Sequence, residues 1–150
     1  MTSRPRARPA NSGARPLGYD LLSLAVALQG LSGLGGGVTL VADPTGASLG
    51  LPDDLLEHSP FRNYLIPGLI LLVVLGVVPL IVSWGLWRRR RWSWYGSVFV
   101  GIALIVWIIV QIMLIGYGTD PPLQAIYGGL GVTILGLAFI RRVKAYLRAV

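Results

Sequence analysis

The chain has 150 residues, 54% of them hydrophobic and only 13% charged, with a formal net charge of +7 and no cysteine. That length leaves room for one domain, and a charged fraction near half the usual quarter excludes an ordinary water-soluble surface. The absence of cysteine excludes disulfide exchange, thiolate catalysis and thiolate-held metal.

Residues 1–16 are rich in proline, arginine, serine and glycine, with almost nothing to bury, and read as a disordered, basic cytoplasmic tail. Pro5, Pro9 and Pro16 break the amphipathic helix that a mitochondrial presequence needs. The apolar run that follows is too long for a signal peptide, and Leu40-Val41-Ala42 is a poor cleavage site. Charge is absent from 21–42, 63–87, 92–119 and 121–140. A bilayer core of about 30 Å is crossed by about 20 helical residues. Backbone amides in lipid must be satisfied internally, which leaves helices or a closed barrel. Barrel strands alternate polar and apolar side chains, and Leu69-Ile-Leu-Leu-Val-Val-Leu75 does not. The expected fold is an all-α membrane protein, a four-transmembrane-helix antiparallel bundle over 17–143.

Helix 1, expected over about 19–42, is the least hydrophobic span and the richest in small residues. Gly33 and Gly37 form a small-xxx-small pair, with Ser23, Ala27 and Gly30 on a similar face, so close backbone approach is expected there. The outer loop, 43–63, opens with the turn Asp43-Pro44-Thr45-Gly46. A short helix is expected at 52–57, with proline in its first turn and Asp53, Asp54 and Glu57 within it. Helix 2, about 64–87, carries Pro67 where it costs little and Pro79 where it should bend the helix. Arg88, Arg89, Arg90 and Arg91 make a tight hairpin into helix 3, flanked by Trp84, Trp87, Trp92, Trp94 and Tyr95 as an interfacial aromatic belt. Helix 3, about 93–116, aligns Ser97, Gly101, Leu104, Ile108 and Gln111 on one face. Asp120-Pro121-Pro122 turns the chain into helix 4, about 123–143, which holds Gly128, Gly129, Gly131 and Gly136, and residues 144–150 form a basic cytoplasmic C-terminus.

Charge sets the expected orientation. Basic residues cluster at 4–15, 88–91 and 141–148, while the intervening loops hold Arg62 against Asp43, Asp53, Asp54, Glu57 and Asp120. With four spans, all three basic clusters fall on one side, giving N-in and C-in by retention of positive charge in the cytoplasm. The same distribution speaks against nucleic acid as the partner of a basic chain. High arginine, alanine, glycine and proline content fits a GC-rich bacterial source, hence a multi-pass protein of the bacterial inner membrane.

Few residues carry chemistry. Gln29 and Gln111 are the most polar side chains within the spans, and interhelical hydrogen bonding is preferred over a hydrated path, because neither has an ionisable partner. Asp20 is the only acid on the cytoplasmic half. An intramembrane carboxylate is a candidate proton carrier, but a first-turn acid beside Arg15 also complements the helix dipole. Arg88 to Arg91 suit anionic lipid headgroups at the cytoplasmic face. The acidic loop matches no calcium-binding spacing, and the lone His58 excludes a bis-histidine ligand set within the chain. No catalytic constellation, cofactor site or metal site is expected.

The segments Asp43-Pro-Thr-Gly-Ala-Ser-Leu-Gly-Leu-Pro52, Ser59-Pro-Phe-Arg-Asn-Tyr-Leu-Ile-Pro-Gly68 and Trp107-Ile-Ile-Val-Gln-Ile-Met-Leu-Ile-Gly116 resemble a pattern in small uncharacterised four-span bacterial integral membrane proteins. The resemblance covers about 19–140 and implies a fold but no reaction. DoxX-like proteins share the span count alone, and the missing cysteines exclude a vitamin K epoxide reductase-like protein. The expected function is that of a non-catalytic accessory or scaffolding subunit. It would pack through Gly30, Gly33, Gly37, Gly101 and Gly128 against itself or a larger membrane complex. The alternative is a small transporter or channel subunit with a polar path near Asp20, Gln29 and Gln111.

Overall fold

The structure is a computed structural model that describes residues 15–51, 56, 57, 59–117 and 122–149. The N-terminal tail, most of the short helix expected at 52–57, His58 and the expected turn at Asp120-Pro121 lie outside the described residues. Five α-helices are found among those described, besides a 3-10 turn at Ala47–Leu49: α1 (Leu17–Ala42), α2 (Leu65–Trp87), α3 (Trp92–Ile115), α4 (Leu123–Phe139) and α5 (Arg141–Arg148). No strand occurs among the described residues. The helices α1, α2 and α3 are each long and apolar enough to cross a membrane, and α4 with α5 makes a fourth candidate if counted as one broken span. These are the helices of a multi-pass membrane protein. Leu31, Ile81, Phe99, Ile102, Val106 and Val132 point outward, each at least half exposed, and in lipid such a surface is solvated rather than a liability.

The helix α1 packs against each of the other four. It approaches α2 most closely where both lack side chains. A methyl group built on Gly33 would lie 2.0 Å from the Leu75 carbonyl oxygen, and one on Gly37 2.5 Å from the Leu72 backbone. From the other side, one on Gly76 would lie 2.8 Å from the Leu34 nitrogen. Where α3 meets α4, a methyl group built on Gly101 or on Gly131 would lie 3.2 Å from the other's carbonyl oxygen. With no hydrophobic drive between helices in lipid, such backbone contact supplies the packing.

Two elements depart from the sequence expectation. In α2 the irregularity around Pro79 is a widened π turn, Val73–Val77, placed just before the proline. Pro79 has no N–H for the Leu75 carbonyl, and a wider turn is one way a helix absorbs that loss. Helix 4, expected to run to residue 143, ends at Phe139. After Ile140 (φ −58, ψ 123) the chain turns by 63° into α5. Arg141, Arg142 and Lys144 cannot continue an apolar span, whereas Val143 and Leu147, one turn apart, give α5 a single apolar face. Both are fully buried against Leu22, Val26, Leu86 and Ala138, so α5 lies across the arginine-bearing end of the bundle.

The main core, from Tyr19 to Val26 of α1 through Val82, Leu86, Val100 and Ile134 to Leu147, sits at that basic end. Toward the opposite end the packing thins to Leu75, Leu104 and Ile108 with a few half-buried neighbours.

Candidate functional site

Beside that thinner core lies a cavity of about 400 Å³, bounded by Gln29, Ser32 and Gly36 of α1, Trp107 and Gln111 of α3 and Tyr127 of α4, and reaching Leu49 and Leu51 of the loop. A second, almost wholly apolar pocket of about 180 Å³ shares Leu71, Trp107 and Gln111 with it and extends to Phe61, Tyr64 and Pro67. No charged side chain among the described residues lines either one.

Gln29 is 1% exposed. Its Nε2 donates to the Leu75 carbonyl at 3.2 Å, across the α1–α2 contact. Its Oε1 is buried and has no partner among the described residues, which is uncommon for a buried acceptor. Nearby, the Ser32 hydroxyl donates to the Tyr127 hydroxyl oxygen at 2.8 Å, joining α1 to α4.

The structure brings Gln29 and Gln111 to one cavity but leaves Asp20 outside it. Asp20 is exposed in the first turn of α1, at the end opposite the loop. The two residues sequence reasoning missed here are Ser32, noted only as a small residue, and Tyr127. Their signal was one hydroxyl among several polar side chains on each of two spans, too weak to pair without coordinates. Gln124 was also missed. It is 4% exposed, and its Nε2 donates at 3.1 Å to the carbonyl of Gly116, the residue that ends α3.

The packing glycines divide. Gly30, Gly33, Gly37 and Gly101 each meet a neighbouring helix of this chain within 3 Å of a built methyl group, whereas Gly128 leaves ordinary room, with Ile108 at 3.7 Å. Gly35, Gly129 and Gly136 face open space.

At the basic end, the four arginines differ in placement. Arg88 lies over Trp84 and Trp87, at 5.4 and 5.7 Å from the ring centroids. Arg89 is half-buried, with its guanidinium 4.1 Å from the centre of the Tyr146 ring. Its backbone takes φ 52, which lets the tight hairpin close. Arg90 and Arg91 are exposed. Arg91, Arg148, Trp94 and Tyr95 line a notch of about 320 Å³, and Lys144 stands 4.7 Å over Trp94. Trp94, one of the expected interfacial belt, is half-buried, and its Nε1 donates to the Ala138 carbonyl at 2.8 Å. The break at Ile140 explains this, because the last carbonyls of a helix have no partner inside it.

In the loop, the Asp43 carboxylate accepts from the Thr45 hydroxyl (2.5 Å), the Ser48 hydroxyl (2.7 Å) and the Ser48 N–H (2.8 Å). These bonds hold its carboxyl well below the usual carboxylate range. Asp53, Asp54 and His58 lie outside the described residues, among which no group of three potential metal-ligating side chains converges. No family model, no curated protein and no solved structure matches the chain significantly.

Proposed function

We propose that the chain is a four-span antiparallel bundle of the bacterial inner membrane with both termini cytoplasmic. In this reading it is a non-catalytic accessory subunit, and the outer face of α4 is its docking surface. The orientation draws on the positive clusters and on the meeting of Tyr19, Leu86, Arg89 and Tyr146 at one end, through the Tyr19 hydroxyl donating to the Leu86 carbonyl and the Tyr19–Tyr146 ring contact at 4.9 Å. Arg88 to Arg91, with the notch beside Trp94, would meet anionic headgroups there. The resemblance to small four-span bacterial membrane proteins is part of the same proposal.

The observation that carries the docking role is the face of α4 formed by Ala125, Gly129, Val132 and Gly136. All four are exposed, at helical spacing, and a methyl group built on Gly129 or Gly136 meets nothing within 4 Å. The glycines of α1 that first pointed to association are already filled by α2, so α4 is the face left for a second copy or a larger subunit. The test is native mass and pull-down of the tagged protein from mild detergent. Gly129→Leu and Gly136→Leu should release the bound partner or second copy, while Gly35→Leu, also facing open space, should not. Elution of the unaltered protein as a lone monomer would refute the reading.

A transporter or channel subunit is the second reading, and it draws on the cavity shared by Gln29 and Gln111. Solute flux into liposomes that disappears in Gln111→Leu would establish it in place of the first.

A further inference from the structure

We propose that the Gln29 cavity binds an uncharged amphipathic molecule of the alcohol class, its hydroxyl donating to Gln29 Oε1 and its apolar body lying toward the loop end. Three observations converge on that chemistry. The cavity, at about 400 Å³, falls within the range of small-molecule sites. Among the described residues its wall holds no charge, so an ionic ligand would lose its hydration with none of them to replace it. Among the described residues that line it, Gln29 alone carries a fully buried polar atom without a partner, the acceptor Oε1, and an acceptor in that state selects a donor.

The neighbouring hydroxyls complete the match. With Ser32 donating to the Tyr127 oxygen, the Tyr127 proton remains for a ligand oxygen, as an alcohol both donates and accepts. Water alone fits less well. A water can bridge Gln29 Oε1 and the Tyr127 hydroxyl, but Leu71, Leu75, Leu104, Ile108 and Leu123 make most of the remaining wall, a stretch that offers water no polar partner. An aliphatic chain along those leucines supplies the missing contacts. This inference stands independently of whether α4 docks a partner.

The experiment offers the delipidated protein in detergent a matched series: 1-decanol, decyl methyl ether, decane and decanoate. Bound molecules are counted by native mass spectrometry, alongside the thermal midpoint. One decanol per chain is expected, bound about tenfold more tightly than the ether, which cannot donate, or the charged decanoate. Gln29→Met should abolish that preference. Because Gln29 also ties α1 to α2, Gly36→Leu serves as a second variant. A Cβ built there meets only the Leu71 side chain, at 3.2 Å, and the leucine should fill the cavity while leaving the amide in place. Equal uptake of decanol and ether, or undiminished decanol binding in both variants, would overturn the proposal. Mass spectrometry of lipids co-purifying with the undelipidated protein then separates the sources: a neutral lipid alcohol points to the membrane, and an empty protein that still selects decanol points to a water-borne ligand.

Discussion

Gln29 and Leu75 are joined by a side-chain amide donating to a main-chain carbonyl at 3.2 Å, and that carbonyl is the one Pro79 cannot serve. The helix α1 thus repairs a defect in α2 at the level where Gly33 and Gly76 bring the two backbones together. The same logic recurs at Trp94 and Ala138 and at Gln124 and Gly116, where side-chain donors meet carbonyls at helix ends.

Removing the Gln29 amide should therefore cost about 1 kcal/mol, within the range measured for hydrogen bonds between membrane helices. Thermal melting of Gln29→Leu in detergent should show a midpoint lowered by about 2–4 °C. In a Pro79→Ala background the new N–H can serve Leu75, so the same substitution should cost less. A double-mutant cycle with no coupling between the two sites would refute the account.

Alanine substitution should separate the glycines of α1 sharply. At Gly33 and Gly37 the added methyl group meets backbone at 2.0 and 2.5 Å, and overpacking of this kind costs about 1–3 kcal/mol or more. At Gly35, where nothing lies within 4 Å, Gly35→Ala should be neutral or stabilising by up to about 1 kcal/mol through helix propensity. Midpoints measured side by side decide it, and a Gly33→Ala protein as stable as the parent would contradict the close approach.

The short helix α5 is held by Val143 and Leu147 in the core and by Tyr146 between Tyr19 and Arg89. Tyr146→Ala loses the ring contact and a cation–π interaction worth about 0.5–1 kcal/mol. It should leave α1 to α4 folded while loosening α5. Limited trypsin digestion is the readout, with faster cleavage after Arg141, Arg142 and Lys144 expected. Unchanged digestion would mean that the two buried aliphatic residues suffice.

The loop around Asp43 should be sensitive to acid. Its carboxyl titrates below the ordinary aspartate value of about 4 because Thr45 and Ser48 donate to the ionised form. The stabilisation is then fully present above that ordinary value and is lost as the pH falls from there through the folded-state value. Amide exchange at Thr45 and Ser48, corrected for its intrinsic pH dependence, should hold its protection from pH 6 to about pH 4 and lose it progressively as the pH falls further. In Asp43→Asn the protection should be weaker and flat across that range.

Much of the architecture was legible before any coordinate. Uncharged runs near 20 residues marked α1, α2 and α3 to within two residues at their starts, because lipid admits no unpaired backbone and little charge. Pro79 marked its helix as irregular. The end of α4 was not legible, because Ile140 is as apolar as what precedes it and the turn depends on a core that receives Val143 and Leu147. Gln29 and Gln111 stood out by type, but Ser32, Tyr127 and Gln124 did not, since a lone polar side chain on an apolar span says nothing about what faces it.

Composition and charge spacing were thus sufficient for helices of membrane-spanning length, since burial of backbone in lipid is a constraint each segment meets by itself. Which glycines carry contact, which carbonyl Trp94 meets and which acceptor is left unpaired depended on how the helices meet. Those are properties of pairs of elements, and the spacing within a single helix does not encode them.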